Sequence, residues 1–284
     1  MIEWGIRQPS GCPNAQREGR GDSIVKRYER LNSLLETLAE KGNIDVDDLA
    51  DQLQVSAATI RRDLDHLGKQ QLLTRTRGGA VANAVSYDLP LRYKTARFAS
   101  EKQRIAQAAS TLVRRGMVIG MNGGTTISEV ARTLATRPEL SSEHGEPSFT
   151  LVTNALNIAN ELIVRPHVKM VLTGGVARPQ SYEMIGPLAH RILADLSLDI
   201  AFIGVDGIDE TGATAHHEGE ANINALIVSR AAKVVVVADS SKLGHRAFAR
   251  ICELDSVDTL VTDVQAEDAD LVPFSDAGIE VVRA

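Results

Sequence analysis

Apolar residues recur at helical spacing three times in the first seventy positions. Between Ile24 and Gly42, Leu31, Leu34, Leu35 and Leu38 fall on one face, and Gly42 supplies a C-terminal stop. Residues 46–53 (VDDLADQL) read as a short second helix, with acids in the first turn, where the helix dipole favours them. Gln54 and Val55 make a tight turn. Ser56 is placed to cap a third helix, in which Ile60, Leu64 and Leu67 keep helical spacing. Helix, helix, short turn, helix is the helix-turn-helix arrangement. The next stretch, LLTRTRGGAVA, alternates apolar and polar positions around Gly78 and Gly79 and predicts a two-stranded wing.

Further on the texture changes. Residues 82–100 are mostly polar and read as a linker. From Glu101 onward helical patterns alternate with short apolar runs: MVIGM, FTLVT, VKMVLT, DIAFIGV, KVVVVAD, TLVTD and IEVV. Continuous runs rich in Val and Ile suit strands buried on both faces of a mostly parallel sheet, and the helices between them make an α/β domain. Residues 137–148 (RPELSSEHGEPS) read as an exposed loop. The expected organisation is an extension over 1–22, a winged helix-turn-helix over 23–81, the linker over 82–100 and an α/β domain over 101–284.

Composition narrows this. A chain of 284 residues with 43% hydrophobic and 24% charged content is that of a globular protein with a normal core. Cys12 and Cys252 are far apart and lack metal-ligand spacing, which suits a reducing cytoplasm. No apolar run approaches a membrane helix, and residues 1–22 carry no signal-like apolar stretch.

The net charge of −6 argues weakly against a nucleic-acid partner, but its distribution argues for one. Arg61, Arg62, Lys69, Arg75 and Arg77 outnumber Asp63 and Asp65 in the third helix and wing, whereas Asp45, Asp47, Asp48 and Asp51 crowd the second helix. Turning 100° per residue from Ile60 puts Arg62 nearly opposite the buried face, flanked by Thr59 and Arg61. This end of such a helix enters the major groove, where arginine reaches guanine O6 and N7 and Ser or Thr reaches bases or phosphates. The candidate DNA-binding residues are therefore Ser56, Thr59, Arg61, Arg62, Arg75 and Arg77. The plainer reading is a solvated helix whose arginines pair with acids.

A second constellation lies in the α/β part. MVIGMNGGTTISEVARTL runs strand, Gly123-Gly124-Thr125-Thr126, helix. A glycine turn between a strand and a helix offers backbone N–H groups and a positive dipole end to a phosphate. Asp206 and Asp209 end one central run, and Lys242 follows another. In open α/β sheets ligands bind at the carboxyl ends of strands. A phosphate cradle, a lysine and carboxylates for hydroxyl groups describe a phosphorylated sugar. Glu220 either contacts such an effector or caps a helix, and Asn154 either lines the pocket or makes a turn. His216, His217, Glu218 and Glu220 lack a convincing metal-ligand spacing, and neither a metal nor a cofactor is expected.

The chain resembles the DeoR family of bacterial transcriptional regulators. The resemblance rests on Arg30, Leu34 and Leu38 at steps of four, on Ser56, and on TIRRDL from Thr59 to Leu64. It continues through NGGTT, TNA, TGG, IGVDGID and ADSSK, over nearly all of the chain after about residue 23. The resemblance implies a C-terminal domain similar in fold to ribose-5-phosphate isomerase and glucosamine-6-phosphate deaminase that senses phosphorylated sugars. The expected function is that of a cytoplasmic, homo-oligomeric (dimeric or tetrameric) repressor of a carbohydrate operon. It would bind double-stranded operator DNA and be released by a phosphorylated sugar. The alternative is an active sugar-phosphate isomerase or deaminase carrying a DNA-binding module, with Asp206, Asp209 and Glu220 as acid–base groups.

Overall fold

The computed structural model describes residues 27, 30–35, 37–38, 41–70, 72–82, 91, 98–141 and 146–284. The expected extension, most of the expected linker, and residues 142–145 of the expected loop lie outside them. The chain divides into two compact units, Met1–Ser86 and Tyr87–Ala284.

In the first unit, α1 is helical at 30–35, 37 and 38, and Gly42 ends it in the left-handed region at φ 73° with its N–H on Leu38 O. Strand β1 (Asn43–Asp45) leads into α2 (Val46–Gln52), where Asp45 caps by accepting from Asp47 N at 2.8 Å. Leu53 to Val55 make the turn, with Gln54 at φ 52°, and α3 (Ala57–Lys69) starts at its Ser56 cap. Leu31, Leu34, Leu35, Leu38, Leu49, Ile60, Leu64 and Leu67 are buried. Each such side chain contributes about 1.5–3 kcal/mol by leaving water. The wing is larger than the expected hairpin. Strands β2 (Leu73–Arg75) and β3 (Gly79–Ala82) pair antiparallel, and β1 adds a third strand on β3. Gly79 makes this possible, because a Cβ there would meet Ile44 O at 1.8 Å.

The second unit holds a seven-stranded parallel sheet whose strands are the seven apolar runs. They are β4 (Val118–Met121), β5 (Phe149–Thr153), β6 (Val168–Leu172), β9 (Ile200–Gly204), β12 (Val234–Val237), β14 (Thr259–Thr262) and β15 (Glu280–Arg283), in the order β15-β14-β12-β9-β4-β5-β6. Alternate residues serve different cores. Ala201, Ile203, Val234 and Val236 face a cluster with Ile223 and Ile227 of α8 (Glu218–Arg230) and Phe274 of α9 (Asp268–Asp276). Ile200, Phe202, Val235 and Val237 face one with Ile105 of α4 (Ala99–Ser110), Ile127 and Val130 of α5 (Thr125–Thr136), and Ile158 of α6 (Leu156–Leu162). Burial on both faces is why these runs are apolar without alternation.

Two small antiparallel elements were not expected. A hairpin pairs β7 (Val176–Ala177) with β8 (Met184–Ile185) ahead of α7 (Pro187–Leu193). A three-stranded sheet orders β10 (Gly207–Asp209), β11 (Gly212–Ala215) and β13 (Ala249–Cys252). Among the described residues, no helix is long and apolar enough to cross a membrane.

Candidate functional site

On α3 the buried residues are Ile60, Asp63, Leu64 and Leu67, while Ala58, Arg61, Arg62, Asp65 and Lys69 are exposed. Arg61 and Arg62 thus stand together on the outer face, as the periodicity required. Asp63 turns inward, where Arg30 Nε donates to its Oδ2 at 2.5 Å and Arg27 Nε lies 3.6 Å from its Oδ1. Ser56 Oγ accepts from Thr59 N at 3.2 Å and shares a 2.9 Å hydrogen bond with Thr59 Oγ1. These two hydroxyls build the start of the helix. Arg75, a candidate DNA-binding residue, also has partners within its own unit. Its Nε donates to Asp65 Oδ1 at 2.9 Å and its Nη1 to Gly79 O, so it fastens the wing to α3. Arg77 lies exposed in the turn between β2 and β3.

In the second unit, strand order reverses beside β4. Its chain successor β5 lies on one side, and β9 lies on the other. Such a reversal opens a crevice at the carboxyl ends of the strands. The Gly123–Gly124 turn leaves β4 there. Asn122 locks it to β9, donating from Nδ2 to Gly204 O at 2.9 Å and accepting from Gly204 N at 2.8 Å. Gly124 begins α5 at φ 117°, with no side chain capping the helix and nothing within 4 Å of where a Cβ would sit. No side-chain cap takes the first N–H groups of α5, and Thr125, half-buried, and Thr126, buried, stand beside them. That arrangement suits an anion.

The Gly123 N–H is not open. It donates at 3.0 Å to Oε1 of Glu183, a buried residue from the β7–β8 hairpin. Asn154 Nδ2 donates at 3.0 Å to Glu183 Oε2 and also to Met184 O, while Asn154 Oδ1 has no partner. A Cβ on Gly123 would meet Glu183 Oε1 at 2.5 Å, so glycine is required by the carboxylate's approach. Burial pushes the Glu183 carboxyl up to about 8. Glu220 and Asp206 push the same way, and the Asn154 and Gly123 donors oppose them.

The other expected residues divide around this carboxyl. Glu220 neither caps α8 nor stands free, since Arg178 Nη1 donates to its Oε1 at 2.9 Å in a buried pair. His217 is the cap, accepting from Gly219 N through Nδ1. Asp206 Oδ2 accepts from His216 N at 2.9 Å. Asp209 belongs to the small sheet, bound by Arg246 Nε at 2.8 Å and by Thr211. Desolvation would raise its carboxyl, but these hydrogen bonds outweigh that and hold it below the usual range. Lys242 ends a short 3-10 turn (Ser240–Lys242) after β12, and no ion pair joins it to the Gly123 group among the described residues. Among those residues, no group of three or more His, Cys, Asp or Glu is placed to hold a metal. Glu183, Arg178 and Arg246 were not expected. Each lies in a polar loop or turn with no periodicity to mark it as inward-facing.

Comparison with known proteins places both units. Residues 30–85 match a family model described as a DeoR-like helix-turn-helix domain, and residues 97–264 match the DeoR C terminal sensor domain. The chain is 34% identical to the HTH-type transcriptional regulator GlpR of Haloferax volcanii, over 89% of this chain and 96% of that one. It is 30% identical to the glycerol-3-phosphate regulon repressor of Escherichia coli strain K12, over 84% and 92%. To the HTH-type transcriptional repressor GlcR of Bacillus subtilis it is 32% identical, over 83% and 88%. Among solved structures it is similar to ribose 5-phosphate isomerase A from Methanocaldococcus jannaschii, with 23% identity and a TM-score of 0.37 over 51% of this chain and 54% of that one. With a helix-turn-helix match at one end and a sensor-domain match at the other, the chain belongs to the DeoR family.

Proposed function

We propose that this protein is a cytoplasmic transcriptional repressor of a carbohydrate operon, released from its operator by a phosphorylated sugar. One observation carries the reading: the uncapped start of α5 at the strand-order reversal, in a chain whose other unit is a helix-turn-helix. The first helical N–H groups of α5 would take the phosphate, with Thr125 and Thr126 adding hydroxyls. Asp206, with Oδ2 on His216 N and Oδ1 3.9 Å from His216 Nε2, would accept from a sugar hydroxyl through Oδ1. Lys242 would supply positive charge from the neighbouring strand end. Arg61, Arg62 and Arg77 would face DNA, in a homo-oligomer matching paired half-sites. Release follows from linkage, since an effector shifts the equilibrium only by its differential affinity for the DNA-binding and non-binding states.

Relatives named as the glycerol-3-phosphate regulon repressor and the transcriptional repressor GlcR support this reading over enzymatic turnover. So does Asp209, which is occupied by Arg246. The test is thermal unfolding of the purified protein against a panel of phosphorylated sugars, with turnover assayed in parallel. A ligand at 100 times its dissociation constant stabilises by about 2.7 kcal/mol. Stabilisation without turnover is expected. Steady isomerisation or ammonia release would establish the enzyme instead.

A further inference from the structure

The α5 cradle already contains an anion-binding contact filled from within. Glu183 reaches it from the turn of a two-stranded hairpin and takes the Gly123 N–H at 3.0 Å. A phosphate seated at the start of α5 would meet this carboxylate as a neighbouring like charge. We propose that Glu183 governs admission to the phosphate seat, holding the Gly123 N–H while the seat is empty and, wherever it is ionised, having to take up one proton from the solvent before a dianion can bind. The inference rests on the phosphate seat proposed above and adds the residue that sets its terms.

The surroundings fit this role. Both Glu183 oxygens accept hydrogen bonds, from Gly123 N and from Asn154 Nδ2, and these favour the ionised form. Burial opposes ionisation, and so do the carboxylates facing it, Glu220 from α8 and Asp206 from the turn after β9. Arg178 of the hairpin pairs with Glu220, and His216 lies against Asp206. The turns after β4 and β5 contribute only neutral groups, Gly123 and Asn154. The carboxyl is therefore balanced near neutrality, and the negative charge of an incoming dianion tips it to the neutral acid. Asn154 Oδ1, buried without a partner, is the adjacent acceptor for that proton once the amide turns over.

The experiment uses the full-length protein, with sulfate as probe because it stays dianionic throughout, and inorganic phosphate beside it. Affinities are measured from pH 6.5 to 9.5. In wild type, affinity is expected to hold up to about pH 8 and then to fall toward tenfold per pH unit, because the ionised Glu183 must first be protonated. Glu183→Gln keeps an oxygen for the Gly123 N–H and has no proton to gain, so its profile should stay flat. Calorimetry at pH 8.5 in buffers of different ionisation enthalpy should show proton uptake in wild type and none in the variant.

Equal slopes in the two proteins, or a flat wild-type profile with sulfate still bound, would overturn the proposal and leave the seat standing. Failure of wild type to bind either anion, or any phosphorylated sugar, would remove the seat and the proposal together. If Glu183→Gln does not fold, Glu220→Gln serves. Removing the neighbouring charge should move the wild-type break to lower pH, and an unmoved break contradicts the role given to Glu183.

Discussion

Arg75 Nε donates to Asp65 Oδ1 at 2.9 Å, so a residue of the wing is held by a residue on the exposed face of α3. Its other contact, on Gly79 O, lies at the glycine that admits β1 to the wing sheet. Arg62 has no such duty and stands exposed. The two arginines should therefore fail differently. Arg62→Ala is expected to cost about 1–3 kcal/mol of operator binding and to relax preference at one base pair, with the melting temperature unchanged. Arg75→Ala should lower the melting temperature, by the order of a lost hydrogen bond or two at about 1 kcal/mol each, and weaken binding to all sequences alike. Fluorescence anisotropy on a set of single-base operator variants, with thermal unfolding beside it, checks both.

Asp63 is the internal member of its Arg-Arg-Asp triplet. Removing it leaves Arg30, whose side chain is only 17% exposed, without its carboxylate. Breaking a buried pair costs about 3–5 kcal/mol. Because Arg30 keeps some access to water, Asp63→Ala is expected to cost about 2–3 kcal/mol. Chemical denaturation followed by helical circular dichroism would measure it. An unchanged midpoint would show that the Arg30 contact contributes nothing.

Lys242 and Thr125 separate charge from hydrogen bonding in the effector site. Thr125→Ala removes one hydroxyl while the N–H groups of α5 remain, so release by a phosphosugar should need only modestly more effector. Lys242→Ala removes a whole charge from the site and should blunt release more strongly, since charge-assisted contacts are roughly twice as strong as neutral ones. Effector titrations of the preformed DNA complex give both numbers. A normal response from Lys242→Ala would put the phosphate elsewhere.

Glu183 also makes folding stability depend on pH. In the unfolded chain its carboxyl ionises near the usual 4.5, whereas in the fold it holds its proton to about 8. Between those values the folded state binds more protons than the unfolded one, so this group lowers stability as pH rises from about 4.5 to about 8 and no further above that. Glu183→Gln should remove that slope. The melting-temperature difference, variant minus wild type, is expected to grow across this window and then level off. A constant difference from pH 4 to 9 would mean that Glu183 ionises normally.

Much of this architecture was legible in the sequence because burial leaves periodic marks. The seven apolar runs are the seven sheet strands, and the leucines of α1 and α3 face inward as their spacing required. Gly42, Ser56 and the Gly123–Gly124 turn could be read because caps and turns demand particular residue types. What could not be read were pairings between distant polar residues. Nothing in the three residues of β1 says that it will join the wing, since Gly79 reads equally as a turn glycine. Arg178 and Glu220 are 42 positions apart, and Glu183 lies 60 from the Gly123 it contacts. A polar loop residue that turns inward looks, in sequence, like one that faces water. For the same reason the contacts of Asp209 with Arg246 and Thr211 could not be read.

The central claim joins DNA binding to phosphosugar sensing in one chain, and one measurement addresses both halves. Binding sites would be selected from random duplex DNA by the full-length protein. The affinity for the selected duplex would then be measured by anisotropy at fixed salt, with and without each member of a phosphosugar panel. Sequence-specific binding is expected, at least 10³-fold tighter than to random duplex. At least one phosphosugar should weaken it tenfold or more while being recovered unchanged. No selected sequence, or a selected duplex whose affinity no phosphorylated sugar alters, would contradict it.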